Sequence, residues 1–127
     1  MSKTITYASL YVGIKEESIS FYSKYLGFTV YKKVQLGDEE HWLILRKEEQ
    51  DKTGLILIRA EEEKPNCSTL ILTSNDCIME YCKLKDSGLN NLSTPLYSTL
   101  GLSFFCYDPS GNKIVILEER KYDDTII

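Results

Sequence analysis

Few residues of this sequence could do chemistry, and they are scattered. There is one histidine, His41. Neighbouring cysteines are separated by 10, 5 and 24 positions, which leaves no C-x-x-C pair to bind zinc or exchange thiols: Cys67, Cys77, Cys82 and Cys106. On a helix, Cys77 and Cys82 would point about 140° apart. We therefore expect buried, reduced thiols and no metal site built on His41.

Protein groups alone offer a second kind of chemistry. A tyrosine, His41 or a cysteine could act as acid, base or nucleophile in a lyase or isomerase that needs no metal. Such a mechanism requires a base within hydrogen-bond reach of its proton donor or substrate. No compact motif in the sequence establishes that pair. A metal-independent enzyme is therefore an alternative rather than the leading hypothesis.

Two helices with matching surroundings are predicted to position these residues. In KEESISFYSKYLGF, apolar residues recur at i, i+3 and i+7 and Gly27 follows, which predicts a helix from about Glu16 to Leu26. In NDCIMEYCKLKDSGL, Asn75 or Asp76 can cap a second helix that Gly88 ends. The two glycines are 61 positions apart, so the second helix repeats the first.

Strand-like segments flank both helices in the same order. TITYASLYV and STLILTS precede the helices, and FTVYKKVQL and LNNLSTPLYS follow them, the last being interrupted by Pro95. HWLILRK and LILIRA then match GLSFFCYD and KIVILEE, with the tight turn Asp108–Asn112 between the latter two. We predict an α+β fold of two β-α-β-β-β modules, residues 5–61 and 67–119, in a single domain spanning 1–127.

Composition restricts the partners. The chain has 127 residues, of which 43% are hydrophobic and 27% charged, as expected for one globular domain. Its net charge of −4 provides no basic field, so nucleic acid is not an expected partner. No segment approaches the 18 apolar residues that a membrane span needs, and the N-terminus does not resemble a signal peptide. We expect a soluble cytoplasmic protein without a membrane partner.

Three motifs resemble one known family. FYSKYLGF, LKDSGL and DPSGNKIVILEE are similar to sequences of the glyoxalase, bleomycin-resistance and extradiol-dioxygenase group, the vicinal oxygen chelate superfamily. The resemblance extends from about Ile5 to Glu119. The combination FY-x-x-x-LGF with DP-x-GN is fairly specific for the superfamily but does not identify a member. It implies that the two modules form a curved mixed sheet around a cleft, often in a dimer, so we expect a homodimer.

The resemblance also implies where a metal would be held. Metal-dependent members place one His, Glu or Gln ligand on each of four strands, and counting from the motifs puts these positions at Tyr7, Leu57, Thr69 and Val115. Hydrocarbon side chains donate nothing to a metal, and hydroxyls are poor ligands unless ionised. A shift of one residue on either of the two hydrocarbon positions reaches only isoleucine. We therefore expect no metal, no cofactor and no metal-dependent glyoxalase or dioxygenase activity.

Alternation along the strands extends the wall of the implied cleft. Tyr7, Tyr11 and Thr69 would supply hydroxyls, and Arg59 a planar cation suited to a carboxylate or phosphate. The alternative is that the tyrosines are ordinary core residues and that Arg59 lies at the surface. The predicted ligand-binding residues are Tyr7, Tyr11, Trp42, Leu57, Arg59, Thr69, Tyr107 and Val115.

Three functions follow from these residues. The first is a small-molecule-binding protein without the usual metal ligands, which sequesters an aromatic or planar compound. The second is the metal-independent lyase or isomerase. The third is a degenerate structural or regulatory module that works through dimerisation. An open cleft favours the first two functions, and a cleft filled by its own side chains favours the third.

Overall fold

The computed structural model describes residues 3, 6–13, 15–36, 40–47, 53–59 and 67–120, with the backbone alone at 36, 40 and 41. Two helices and eight strands follow one another along the chain, and the predicted α+β fold is confirmed. In chain order they are β1 (Tyr7–Val12), α1 (Lys15–Leu26), β2 (Thr29–Leu36), β3 (Glu40–Arg46), β4 (Gly54–Arg59), β5 (Thr69–Thr73), α2 (Cys77–Asp86), β6 (Leu96–Ser98), β7 (Gly101–Tyr107) and β8 (Lys113–Glu119).

The chain forms two compact units with the same topology. The first contains the described residues up to Ser68 together with Asp108–Asn112, and the second contains Thr69–Tyr107 and the described residues from Lys113 onward. Each has one four-stranded sheet, in the order β1-β4-β3-β2 and β5-β8-β7-β6. The first pair in each sheet is parallel and the other pairs are antiparallel. Both units are therefore β-α-β-β-β modules, whereas the assignment of 1–127 to a single domain stays a prediction.

Local signals determine where the helices begin and end. Gly27, directly after α1, has a φ of 75°, and Gly88, after α2, has a φ of 93°. Side chains rarely adopt this conformation, so glycine ends both helices. At the start of α2, the Asp76 side chain accepts a hydrogen bond from the backbone N–H of Met79 at 3.0 Å. Strand β6 has only three residues and begins after Pro95, which agrees with the weak strand signal there.

Alternating side chains build the core of each unit. In the first unit, one sheet face carries the buried leucines Leu43, Leu45, Leu55 and Leu57, and we call it the core face. Leu10 and Val12 of β1 are also buried on the core face, and α1 contributes the buried residues Phe21, Tyr22 and Leu26. Full burial of such a side chain stabilises the fold by about 1.5–3 kcal/mol. The core of the second unit contains Leu70, Cys77, Leu84, Leu102, Phe104, Cys106, Ile114 and Ile116.

The expectation of buried thiols is correct for two cysteines and wrong for two. None of the four is in a disulfide, but Cys67 and Cys82 are exposed while Cys77 and Cys106 are buried. Cys77 and Cys82 are five residues apart in α2, so they lie on different sides of the helix. No helix of the described chain is long and apolar enough to span a membrane.

The turn between β7 and β8 is held inside the first unit by buried hydrogen bonds. Asp108 is 4% exposed, and its carboxylate accepts hydrogen bonds from the Tyr22 hydroxyl and the Asn112 backbone N–H, both at 2.8 Å. The fully buried Asn112 side chain donates to the carbonyl of Tyr11 at 2.9 Å and accepts from the N–H of Ser68 at 2.8 Å. The turn is thereby bonded to the end of β1 and to Ser68, both within the first unit.

Candidate functional site

The first sheet presents a second face, opposite the core face, on which side chains lie in three rows. Laterally paired residues share a face of a sheet, so the strand register defines the rows. We call this surface the tyrosine face. From one end to the other, its rows are Tyr7, Gly54 and Arg46; then Ser9, Ile56, Ile44 and Lys32; then Tyr11, Ile58, Trp42 and Val34.

The tyrosine face combines an apolar centre with aromatic ends. Ile44 and Ile56 in the middle row are buried, whereas Tyr7 and Tyr11 are 36% and 47% exposed and Trp42 is half-buried. Aromatic rings of this kind present large flat surfaces, and the phenol hydroxyls add hydrogen-bonding groups. The arrangement suits a mostly apolar, planar ligand that a few polar groups orient.

A cation and two tyrosines meet at one end of this face. Arg46 donates a long hydrogen bond of 3.4 Å from Nη2 to the Tyr7 hydroxyl, and its guanidinium lies 3.9 Å from the ring centroid of Tyr31. The Tyr7 ring lies across Gly54, because a Cβ added there would be 3.0 Å from a Tyr7 ring carbon. Glycine at this position lets Tyr7 reach across the sheet to Arg46.

The second sheet also has a face opposite its core, which we call the Thr69 face. Lys113 Nζ lies 4.2 Å from the centroid of the Phe105 ring, and that ring meets Tyr107 edge-on at 5.7 Å. The predicted residues Thr69, Tyr107 and Val115 all lie on this face. Its rows are Thr69, Lys113 and Tyr107; then Ile71, Val115 and Phe105; then Thr73, Leu117, Ser103 and Leu96.

For the first sheet the sequence prediction was partly wrong. Tyr7, Tyr11 and Trp42 share one face, but Leu57 lies on the core face, where it pairs with Leu10 and Leu43 and is 0% exposed. Since successive strand residues point to opposite sides, a count that is off by one position in β4 places both residues predicted from that strand, Leu57 and Arg59, on the face opposite Tyr7. Ile56 and Ile58 occupy the tyrosine face instead.

Arg59 lies on the wrong side for the same reason. It pairs with the fully buried Val12, on the side of the sheet that carries the core. Burial lowers the pKa of Lys15, at the start of α1, and the positive charge of Arg59 lowers it further, so Arg59 lies near this helix. His41 cannot be assigned a role, because its side chain lies outside the described part of the structure.

The internal repeat could have given the right position in β4, because Ile56 of the first unit is equivalent to Val115 of the second. Val115 pairs with Ile71, two residues after Thr69. The equivalent residue of the first unit pairs with Ser9, two residues after Tyr7, and is Ile56.

Sequence reasoning also missed Arg46. The alternation of HWLILR places it on the same face as Trp42, which was identified. Counting every second residue after Trp42, first Ile44 and then Arg46, would have identified Arg46 from the sequence.

The residues at the implied metal positions do not fit a metal ion. With the correction in β4 they are Tyr7, Ile56, Thr69 and Val115, two hydroxyls and two hydrocarbon chains. The Arg46 guanidinium beside the Tyr7 hydroxyl adds a positive charge that repels a cation. Within the described ranges, no group of three or more His, Cys, Asp or Glu residues could hold a metal ion.

Comparisons with known proteins determine the family. Residues 4–116 match the family model for the Glyoxalase/Bleomycin resistance protein/Dioxygenase superfamily. The chain belongs to this superfamily. The predicted resemblance is therefore confirmed. A comparison with curated protein sequences found no significant match.

Solved structures of this superfamily share the fold. TnmS3, an antibiotic binding protein from Streptomyces sp. CB03234, is similar with a TM-score of 0.79 and 22% identity, over 94% of this chain and 98% of that chain. A superfamily member from Sphaerobacter thermophilus DSM 20745 gives 0.78 and 21%, over 93% and 98%. Glyoxalase I of Leishmania major, described as trypanothione-dependent, gives 0.71 and 21%, over 93% and 88%. At such identities the likeness shows the fold alone.

Proposed function

We propose that this superfamily member is a small-molecule-binding protein that takes up an aromatic or planar compound without a bound metal ion. The observation that carries the proposal is the tyrosine face, where Tyr7, Tyr11 and Trp42 surround buried isoleucines. Stacking on such rings and removal from water stabilise a bound planar ligand, and hydrogen bonds to the hydroxyls fix its orientation. The description of TnmS3 as an antibiotic binding protein supports this class of ligand.

A fluorescence titration tests the proposal. Trp42 is the only tryptophan of the chain, so its emission reports on the tyrosine face alone. We expect a panel of aromatic metabolites and antibiotics, titrated in buffer with a chelator, to include compounds that change this emission with dissociation constants of about 1–100 μM, or about 5–8 kcal/mol. Calorimetry on the same compounds gives the stoichiometry.

A matched pair of variants locates the binding surface. Tyr11→Ala removes an aromatic wall of the tyrosine face and is expected to weaken binding at least tenfold, or about 1.4 kcal/mol. Ile78→Ala removes an exposed apolar side chain of α2 and is expected to leave binding unchanged. The proposal fails if no compound binds, if chelation abolishes binding, or if the two variants behave alike.

Two further proposals concern the state of the protein in the cell. We propose that it is a homodimer and that it is cytoplasmic, as the sequence predicts. Light scattering coupled to gel filtration should give the mass of two chains, and the mass of a single chain would contradict the dimer.

A further inference from the structure

We infer that the tyrosine face recognises an anionic group, a carboxylate or a phosphate carried by the bound aromatic compound, and that Arg46 is the residue that binds it. This inference rests on the proposed binding function and specifies the class of ligand. It gives the role foreseen for Arg59 to a different arginine, on the opposite side of the same sheet.

Arg46 is a half-buried cation for which the described residues provide no matching anion. The ion pair found among the described residues joins Arg120 to Glu118, and no carboxylate described in the structure pairs with Arg46. Its Nε is buried and has no hydrogen-bond acceptor among the residues that the structure describes. A buried donor without an acceptor is unfavourable, so proteins seldom retain one without a reason. Nε itself is out of reach of a ligand in this conformation, but Arg46 as a whole is half-buried, so an anionic ligand would pair with the accessible part of the guanidinium.

The surroundings of Arg46 favour an anion although the chain as a whole is acidic. The three rows of the tyrosine face include a second cation, Lys32, and contain no Asp or Glu; Glu40, whose backbone pairs with Leu36, comes after the Trp42 row, six residues along β3 from Arg46. The net charge of −4 repels anions in general. Preferential binding of an anion would therefore have to come from this local surface.

Tyr31 holds the guanidinium in place while leaving its edge available. The register of β2 against β3 shifts between Val30 and Lys32, which makes Tyr31 the extra residue of a β-bulge. Bulges redirect side chains, and here the ring lies beneath the guanidinium at 3.9 Å. Stacking uses the flat face of the guanidinium, whereas its N–H donors point outward in the plane. Arg46 is thus held so that in-plane donors of its guanidinium other than the buried Nε can bind an anionic group.

The length of the face sets the size of the ligand. Trp42 and Arg46 are four residues apart on β3 and share the tyrosine face, so they are separated by about 13 Å. A compound with two or three fused rings can contact the aromatic side chains of this face while its charged substituent reaches Arg46. The chemistry of Arg46 accepts either a carboxylate or a phosphate.

Three probes of nearly equal shape test this inference. They are 2-naphthoate, 2-naphthyl phosphate and the uncharged 2-naphthamide, each titrated against Trp42 fluorescence and by calorimetry. In the unmodified protein we expect at least one anion to bind about tenfold more tightly than the amide. The anion with the lower dissociation constant shows whether a carboxylate or a phosphate is preferred.

Substitutions then test which cation causes the preference for the anions over the amide. Arg46→Gln should make the anions and the amide bind equally. Lys33→Gln removes the same charge from the core-face side of β2 and should retain the preference. Arg59→Gln should retain it as well, and loss of the preference in that variant rather than in Arg46→Gln would overturn the inference.

A spectroscopic measurement tests the contact without a substitution. The chain has three arginines, Arg46, Arg59 and Arg120, so its arginine Nε–H region contains few signals. The Arg46 signal should shift when the preferred anion is added and not when 2-naphthamide is added.

The outcomes separate this inference from the proposed function. Equal binding of acid, phosphate and amide to the unmodified protein, or an anion preference that survives Arg46→Gln, contradicts the role of Arg46 and leaves the binding function in place. Failure of all three probes to bind contradicts the binding function itself, and the inference fails with it.

Discussion

At the scale of single residues, Cys77 and Cys82 show how position within one helix changes chemistry. Cys77 is fully buried, and its thiol donates to the carbonyl of Ile116. Burial raises its pKa, and the nearby Glu118 carboxylate raises it further, whereas Cys82 is exposed. A raised pKa reduces the thiolate that reacts, and burial blocks the reagent.

We predict that iodoacetamide modifies Cys82 in the folded protein and Cys77 only after unfolding. Peptide mass spectrometry after timed exposure at pH 8 measures both rates in the same sample. Comparable rates for the two cysteines in the native protein would contradict the packing of α2 described above.

Some residues of the candidate site could be predicted from the sequence and others could not. Tyr7 and Tyr11 could be assigned to one face because they alternate within one strand, and Trp42 was selected as a large aromatic residue of a neighbouring strand. Leu57 could not be assigned correctly, because alternation gives the relative phase of residues within β4 but not which set faces the core. Tyr31 could not be found at all, since a bulge leaves no mark in the pattern of apolar residues.

At the scale of elements, Glu118 of β8 anchors the start of α2. Its carboxylate accepts a hydrogen bond from the backbone N–H of Cys77 at 2.9 Å and pairs with Arg120 at 2.8 Å. The N–H of Cys77 lowers the pKa of Glu118 below the usual value of 4.5, and Arg120 lowers it further. The unfolded chain therefore binds this proton more readily than the folded protein does.

The pH dependence of stability tests this contact. The stabilisation by ionised Glu118 is fully present above the usual carboxyl pKa and is lost as pH falls through the lower value of the folded state. The difference in unfolding free energy between the unmodified protein and Glu118→Gln should be constant above pH 5 or so and should shrink below 4.5. Urea titrations from about pH 3 to 7 measure it, and a difference that grows toward acid pH would refute the contact.

Two glycines with positive φ should differ in their tolerance to alanine. A Cβ at Gly101, where β7 begins, would be 2.1 Å from the carbonyl oxygen of Glu118, whereas a Cβ at Gly88 meets nothing within 4 Å. We expect Gly88→Ala to cost about 1 kcal/mol from backbone strain and Gly101→Ala more than about 3 kcal/mol. Thermal unfolding compares them, and equal costs would show that the clash at Gly101 is relieved by small shifts.

The elements themselves were largely predictable. The two helices are where the capping residues and the closing glycines indicated, because those signals are local in the sequence. The succession β-α-β-β-β in both units followed once the repeat had been recognised, whereas the order of the strands within each sheet was not predicted. The position in β4 was the least certain of the count, because the count has to cross the segment before Gly54, where no motif fixes the register.

At the scale of the whole molecule, the turn Asp108–Asn112 connects strands of the second unit and packs in the first. The sequence predicted the turn from its proline and glycine, but not its burial, because side-chain hydrogen bonds such as that of the buried Asn112 to the Tyr11 carbonyl join residues 101 positions apart. The local sequence pattern contains no signal of a hydrogen-bond partner that is so distant along the chain.

We predict that Asn112→Ala destabilises the protein by about 2–4 kcal/mol, since it leaves several buried groups without partners. Asn90→Ala, at an exposed position before β6, serves as the control and should change the unfolding free energy by less than about 0.5 kcal/mol. Urea denaturation followed by circular dichroism distinguishes the two. Equal stabilities would mean that the turn is not essential to the first unit.

The most direct test of metal-free binding is a measurement of intermolecular nuclear Overhauser effects in chelator-treated protein saturated with 2-naphthoate. The contacts are expected between the naphthyl protons and the rings of Tyr7, Tyr11 and Trp42. Contacts confined to other surfaces, or binding that appears only after a divalent metal ion is added, would contradict it.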